Sequence, residues 1–319
     1  MLARRLLLPV VLAGASALLL SACAGPGAEA DDGRVAVVAS TDVYEQIVEA
    51  IGGNLVDVTS LVTSGSQDPH SFEPSARDQL RVSRAGLIVE NGAGYDAFVD
   101  ALIEATDSTA PVLTAVEFSA EWPGGAATDS DGAHDHDHGD HDHVEGFNEH
   151  VWYDVGAMGA LAHGIASRLE VLRPDDASAI DENLDAFLAG IAQREGELET
   201  IHGAHDGAEI FVTEPVPLYL TAAAGLVNIA PAKFTEAVEE GQDVPPATLL
   251  EALDLLRSGR VEVVVANAQT GGAETTAVLD EADGAAIPVV EFTETLPAGQ
   301  TYLSWMQSNI AALSEALGS

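Results

Sequence analysis

Two runs of alternating strand-like and helix-like segments, separated by one long helical stretch, constrain this chain more than any other feature. The first run opens with VAVVAS (35–40), an apolar block of the kind that forms a buried strand. DVYEQIVEAIGG follows as a helix, with Asp42 as cap and Gly52–Gly53 as stop. LVDVTSLV (55–62), GLIVENG (86–92) and PVLTAV (111–116) read as further strands. SARDQLRVSRA (75–85) and YDAFVDALIEAT (95–106) read as the helices between them. Such alternation with short links predicts an α/β fold, a mostly parallel sheet covered by helices.

The pattern breaks over 119–149, a stretch rich in Gly, Ala, Asp and His with no apolar period, which predicts a long loop. VGAMGALAHGIASRLEVL then reads as a helix. PDDASAIDENLDAFLAGIAQREGELETIHGA (174–204) is a helical pattern of about eight turns, opened by Pro174, with Gly190 and Gly196 as its internal breakers. The alternation restarts with AEIFVTE, PLYLTAAAG, PPATLLEALDLLRSG, VEVVVAN, TTAVLDEADGA, PVVEF and TYLSWMQSNIAALSEAL. The expected architecture is two α/β lobes, 34–172 and 206–319, joined by one long helix at 173–205. Ligands of such sheets sit beyond the carboxyl ends of the strands, so a site in the interlobe cleft is expected.

The first residues, MLARRLLLPVVLAGASALLLSAC, have a basic start and an apolar run, the grammar of an export signal over 1–22. Cys23 is the only cysteine, which excludes an intrachain disulfide. LSAC (20–23) resembles a bacterial lipobox, which implies cleavage before Cys23 and lipid on its sulfur. Residues 23–33 then form a small, polar tether, and the protein is expected at the outer face of the cell membrane. No later apolar run approaches the ~20 residues that span a bilayer.

The formal net charge of −40, from 12 basic and 52 acidic residues, excludes nucleic acid as a partner. It selects no particular cation, because dispersed carboxylates mostly solvate a surface.

The strand-end rule picks out particular side chains. His70 follows a predicted strand in DPHSFEPSARD, between Pro69 and Pro74, and His150 closes the long loop just before Trp152. Glu214 ends IFVTE, and Asn267, Gln269 and Thr270 follow VEVVVAN. Two imidazoles and a carboxylate in one cleft would form a coordination shell for a divalent transition metal. A plainer reading exists for each: a capping or surface histidine, or a carboxylate drawn to a helix N-terminus. His163, His202 and His205 lie on helical segments without the spacing of a metal motif. NGAGYDAF (91–98) is superficially like a Gly-rich nucleotide loop but lacks its full spacing and its lysine.

VTSLVTSGSQDPHSFEPSARDQLRVSRAGLIVENGAGYDAFVDAL (58–102) resembles the cluster A-I solute-binding lipoproteins of zinc and manganese ABC importers. NEHVWYDVGAMGALAHGIASRL, IFVTEPVPLYLTAAAGL and VEVVVANAQTGG with IPVVEFTETL resemble further signatures of the same family. The resemblance implies two lobes on a rigid linking helix, with His70, His150 and Glu214 as metal ligands. Glu214 stands where zinc members carry His and manganese members Glu. No acid directly follows VEVVVAN, so three donors stay open for the fourth position: Gln269, ranked first, Glu274, or a water. An acidic, His-rich loop is typical of the zinc members, and His134, His136, His138, His141 and His143 would form such an accessory arm.

The resemblance implies an extracytoplasmic protein, not an enzyme, that captures Zn²⁺ and hands it to an ABC permease. Mn²⁺ is the alternative cargo; a surface metalloenzyme and an adhesin are the alternatives of other classes.

Overall fold

The computed structural model describes residues 33–63, 72–124, 144 and 146–318. The export segment, Cys23, the tether through Asp32, His70 and the histidines from His134 to His143 lie outside the described residues.

The first half holds β1 (Val35–Thr41), α1 (Asp42–Gly52), β2 (Val56–Val62), α2 (Ala76–Val82), β3 (Leu87–Glu90), α3 (Phe98–Thr106) and β4 (Val112–Thr114). Its four strands are all parallel, in the order β2-β1-β3-β4. Local chemistry sets the boundaries. Helix α1 buries Val43, Tyr44, Ile47, Val48 and Ile51 on one face. Helix α2 starts at a capping box between Ser75 and Asp78. All four residues of β3 are buried, as expected of a strand covered on both faces.

Helix α4 (Val155–Leu172) begins at Asp154, whose carboxylate accepts the Ala157 N–H. The long helix α5 (Ala177–His205) has 29 residues, a rod of about 44 Å. Pro174–Asp176 form a separate 3-10 turn, so the rod starts three residues later than the apolar pattern suggests. Its buried residues, Ile180, Leu184, Phe187, Ile191, Arg194, Leu198 and Ile201, recur every three or four positions and form one continuous seam.

The second half repeats the first. It contains β5 (Glu209–Val212), α6 (Leu218–Ala223), β6 (Val227–Asn228), α7 (Ala232–Glu239), α8 (Pro246–Arg257), β7 (Val263–Asn267), α9 (Ala273–Gly284), β8 (Val289–Phe292) and α10 (Tyr302–Ala316). Its parallel sheet has the order β6-β5-β7-β8, the same topology as the first. Neither β6 nor α7 was evident in the apolar pattern.

The order of each sheet places a topological switch point between its first and third strands, β1 and β3 in one lobe, β5 and β7 in the other. The crevice beyond the carboxyl ends at such a point is where open α/β sheets bind ligands. Residues of both halves, with α4, α5 and α10, share one hydrophobic core that includes Trp152, Tyr153 and Trp305. Polar bonds also cross between the halves. Tyr302 donates to the Trp152 carbonyl at 2.9 Å and Tyr153 to the Thr293 carbonyl at 2.7 Å. The Leu296 N–H donates to Asp42 Oδ1 at 3.0 Å.

Candidate metal centre

The two switch points supply the polar side chains of the cleft. At the second, Glu214 lies two residues beyond β5 and Asn267 ends β7. The Asn267 amide donates to Glu214 Oε2 at 3.1 Å and to Glu294 Oε1 at 2.8 Å. Glu294 follows β8, which pairs with β7 so that Asn267 stands opposite Phe292. One asparagine therefore holds two carboxylates, carried past the ends of the two strands that flank its own. Thr270 donates its hydroxyl to Glu214 Oε1. Tyr95, from the other lobe, donates to Glu294 Oε2 at 3.2 Å.

His150 comes from the segment that returns from the long loop, just before a 3-10 turn at Val151–Tyr153. Its ring packs edge-on against Trp152 and Tyr95, with centroids 5.1 and 5.9 Å away. Asn148 Oδ1 lies 2.7 Å from His150 Nδ1. A carbonyl oxygen can only accept, so Nδ1 carries the proton and Nε2 the lone pair, the tautomer that presents Nε2 to a metal. Asn148 is itself fixed across the lobes. Its amide donates to the Pro215 carbonyl at 3.0 Å, and Tyr219 donates to its backbone carbonyl at 2.7 Å.

Two further carboxylates stand beside this imidazole. Ligand atoms of Glu149, His150 and Glu239 all lie within 4.8 Å of one another, close enough to converge on one ion. Glu239 is the last residue of α7. Burial pushes its carboxyl up to about 9, with help from the negative charges of Glu149, Glu214, Glu294 and Glu240. His150, Glu214, Glu294 and Glu149 are exposed by only 1, 3, 3 and 4%. A buried group of this kind, acidic and carrying one imidazole of defined tautomer, has the donor chemistry of a divalent-cation site.

Of the residues read from the sequence, His150 and Glu214 are buried in the cleft, and His70 lies outside the described residues. Gln269 lies beside them, but its Oε1 accepts the Glu294 and Thr295 N–H groups and its Nε2 donates to Thr295 Oγ1 at 3.0 Å. It braces the backbone that carries Glu294. Glu274 is in the first turn of α9. The sequence reading missed Glu294, Glu149 and Glu239. For Glu294 the signal was present, because PVVEF reads as a strand and the next acid after it is Glu294.

Paired switch points, a rigid linking helix and a buried set of metal-type donors define a two-lobed binding protein for a metal ion. The family model of the zinc-uptake complex component A periplasmic (ZnuA) matches residues 37–316, and the chain belongs to that family. It is thus a metal-binding, periplasmic solute-binding component of an ABC metal importer, a family of transport components and not of enzymes. It is 23% identical over 308 residues to the manganese ABC transporter substrate-binding lipoprotein scaA of Streptococcus gordonii, covering 93% of this chain and 94% of that one. It is 24% identical over 314 residues to the zinc-binding lipoprotein AdcA of Streptococcus pneumoniae (serotype 4), covering 96% of this chain but 60% of AdcA. A crystal structure of ZnuA superposes with a TM-score of 0.66 at 21% identity, over 89% of this chain and 98% of that one, which shows the shared fold.

Proposed function

We propose that the protein captures Zn²⁺ outside the cell membrane and delivers it to an ABC permease, held at the membrane by lipid on Cys23. The proposed ligands are His70, His150, Glu214 and Glu294. Glu294 replaces Gln269 in this reading, because the Gln269 oxygen is already engaged by two backbone N–H groups.

The observation that carries the reading is the His150 imidazole, fixed by Asn148 in the tautomer that offers Nε2, beside buried carboxylates shared through Asn267. Imidazole is a good zinc ligand, and the Irving–Williams order lets a site of two histidines and two carboxylates bind Zn²⁺ above Mn²⁺. The sequence from His134 to His143 adds five imidazoles, donors of the type that suits zinc. The lipid anchor rests on LSAC and on relatives named as lipoproteins.

Manganese is the second reading, favoured by the oxygen donors Glu214 and Glu294 and by the name of scaA. Competition with a chelating dye separates the two. The protein is expected to strip zinc from the dye more strongly than manganese, and equal or reversed preference would overturn the zinc assignment.

A further inference from the structure

The segment NGAGYDAF, which looks like a nucleotide loop in the sequence, is a buried scaffold in the structure. Gly92 has φ +86°, and a Cβ there would stand 2.4 Å from Thr114 Cγ2, so only glycine fits. The Asp96 carboxylate accepts the Asn91 N–H at 2.6 Å and the Gly92 N–H at 2.8 Å, which fixes the turn after β3. Within this turn the Asn91 side chain is fully buried. Its Oδ1 accepts the hydroxyl of Tyr44, on α1. Its Nδ2 donates to the Glu149 carbonyl at 2.9 Å and to the Gly92 carbonyl at 3.0 Å. Glu149 immediately precedes His150.

The register of the two sheets makes Asn91 the counterpart of Asn267. Val89 pairs with Ala39 across β3 and β1, and Val265 pairs with Val212 across β7 and β5. Two residues beyond Val89 is Asn91; two beyond Val265 is Asn267. Each lobe thus has an asparagine at the carboxyl end of its third strand, at its switch point. Asn267 holds two carboxylate side chains. Asn91 holds the backbone that carries the imidazole.

We propose that Asn91 is a positioning residue of the metal site: oriented by Tyr44, its amide pins the Glu149 carbonyl and so fixes where His150 presents its imidazole before a metal arrives. This rests on the reading of His150 as a ligand. A displaced imidazole would have to be drawn back into place at the cost of binding energy, whereas a fixed one is pre-organised. Asn91 touches no metal in this assignment; it acts through the chain at 149–150.

The substitution Asn91→Asp keeps the shape and the acceptor for Tyr44 but puts an acceptor oxygen where the Nδ2 donor faced the Glu149 carbonyl. Tyr44→Phe is the milder variant, removing only the hydroxyl that orients Asn91. Zinc affinity of the full chain in detergent would be measured by dye competition, with thermal midpoints of metal-free and zinc-loaded protein alongside. Asn91→Asp is expected to weaken zinc about 10- to 100-fold, the usual cost of losing a residue that orients a ligand, with Tyr44→Phe a smaller loss in the same direction. The rise in midpoint on adding zinc should shrink in both.

A merely structural role would lower the metal-free midpoint and leave the affinity of the folded molecules unchanged. A His150→Ala background separates the two ideas further. There Asn91→Asp should cost little more, because the group it positions is gone. Folded variants that bind zinc within about twofold of wild type, or losses that simply add to that of His150→Ala, would overturn the proposal. Wild-type affinity in His150→Ala alone would instead remove His150 as a ligand, and the role of Asn91 with it.

Discussion

The Tyr95 hydroxyl of the first lobe lies 3.2 Å from Glu294 Oε2 of the second, both residues buried. This contact sits beside the bond from Asn267 to the other oxygen of the same carboxylate. Glu294 is thus aimed by one residue from each lobe. Glu294→Ala is expected to weaken zinc at least about 100-fold, and Tyr95→Phe about 10-fold, since it removes one orienting bond and leaves the oxygen donor. Dye competition checks both. Equal losses in the two variants would mean that Tyr95 does more than orient.

Gln269 separates the sequence reading from the structural one. If it only braces the Glu294 backbone, Gln269→Ala should fall between Tyr95→Phe and Glu294→Ala in zinc affinity. A loss in Gln269→Ala as large as that in Glu294→Ala, with Glu294→Gln nearly silent, would return Gln269 to the ligand set.

The two-lobed α/β architecture was legible because its signals are long: buried strands of β-branched residues, and helices with full apolar faces. Helix α7 was not. It has eight residues and buries only Phe234 and Thr235, too little for a period to emerge, so Glu239 at its end was invisible as a neighbour of His150. Glu294 was lost for a different reason. No acid directly follows VEVVVAN, whereas β8 lies beside β7 in the sheet and brings its own end to the same crevice. Strand adjacency, and not distance along the chain, decides which residues meet. The sequence signature points to His150, but the tautomer of its ring depends on Asn148, a contact that only the folded chain reveals.

The histidine arm should be separable from the buried centre. Deleting residues 134–143 is expected to leave one tight zinc site, because His150, Glu214 and Glu294 are held by bonds from Asn148, Asn267 and Tyr95, outside the deleted stretch. Weak additional zinc equivalents should disappear. Calorimetric titration of both proteins checks the count, and loss of the tight phase on deletion would put the arm inside the primary site.

Two of the glycines within α5, Gly190 and Gly196, predict opposite sensitivities. A Cβ on Gly196 would meet no atom within 4 Å, so Gly196→Ala should stabilise the helix by roughly 0.5–1 kcal/mol through helix propensity. At Gly190 a Cβ would stand 2.4 Å from Leu303 Cδ1 on α10. Leu303 must shift, so Gly190→Ala should gain less than Gly196→Ala or lose stability outright. Urea unfolding of the metal-free variants compares them, and an equal gain at both positions would show that Leu303 moves without cost.

Asp42 gives the lobe contact a pH dependence. Its Oδ1 accepts the Leu296 N–H, two residues past Glu294, and burial pushes its carboxyl up from 3.8 to about 6, with Glu45 adding to the rise. Between about pH 4 and 6 the folded chain therefore holds a proton that the unfolded chain has lost, so the contribution of Asp42 to stability falls as pH rises through that window. Asp42→Asn keeps an oxygen for the Leu296 N–H and removes the titration. Wild type should then lose ground to the variant as pH rises from 4 to about 6, with the difference constant above that. Urea midpoints of the metal-free proteins at a series of pH values test this. A difference that stays level across the window would mean that Asp42 keeps its ordinary acidity in the folded chain.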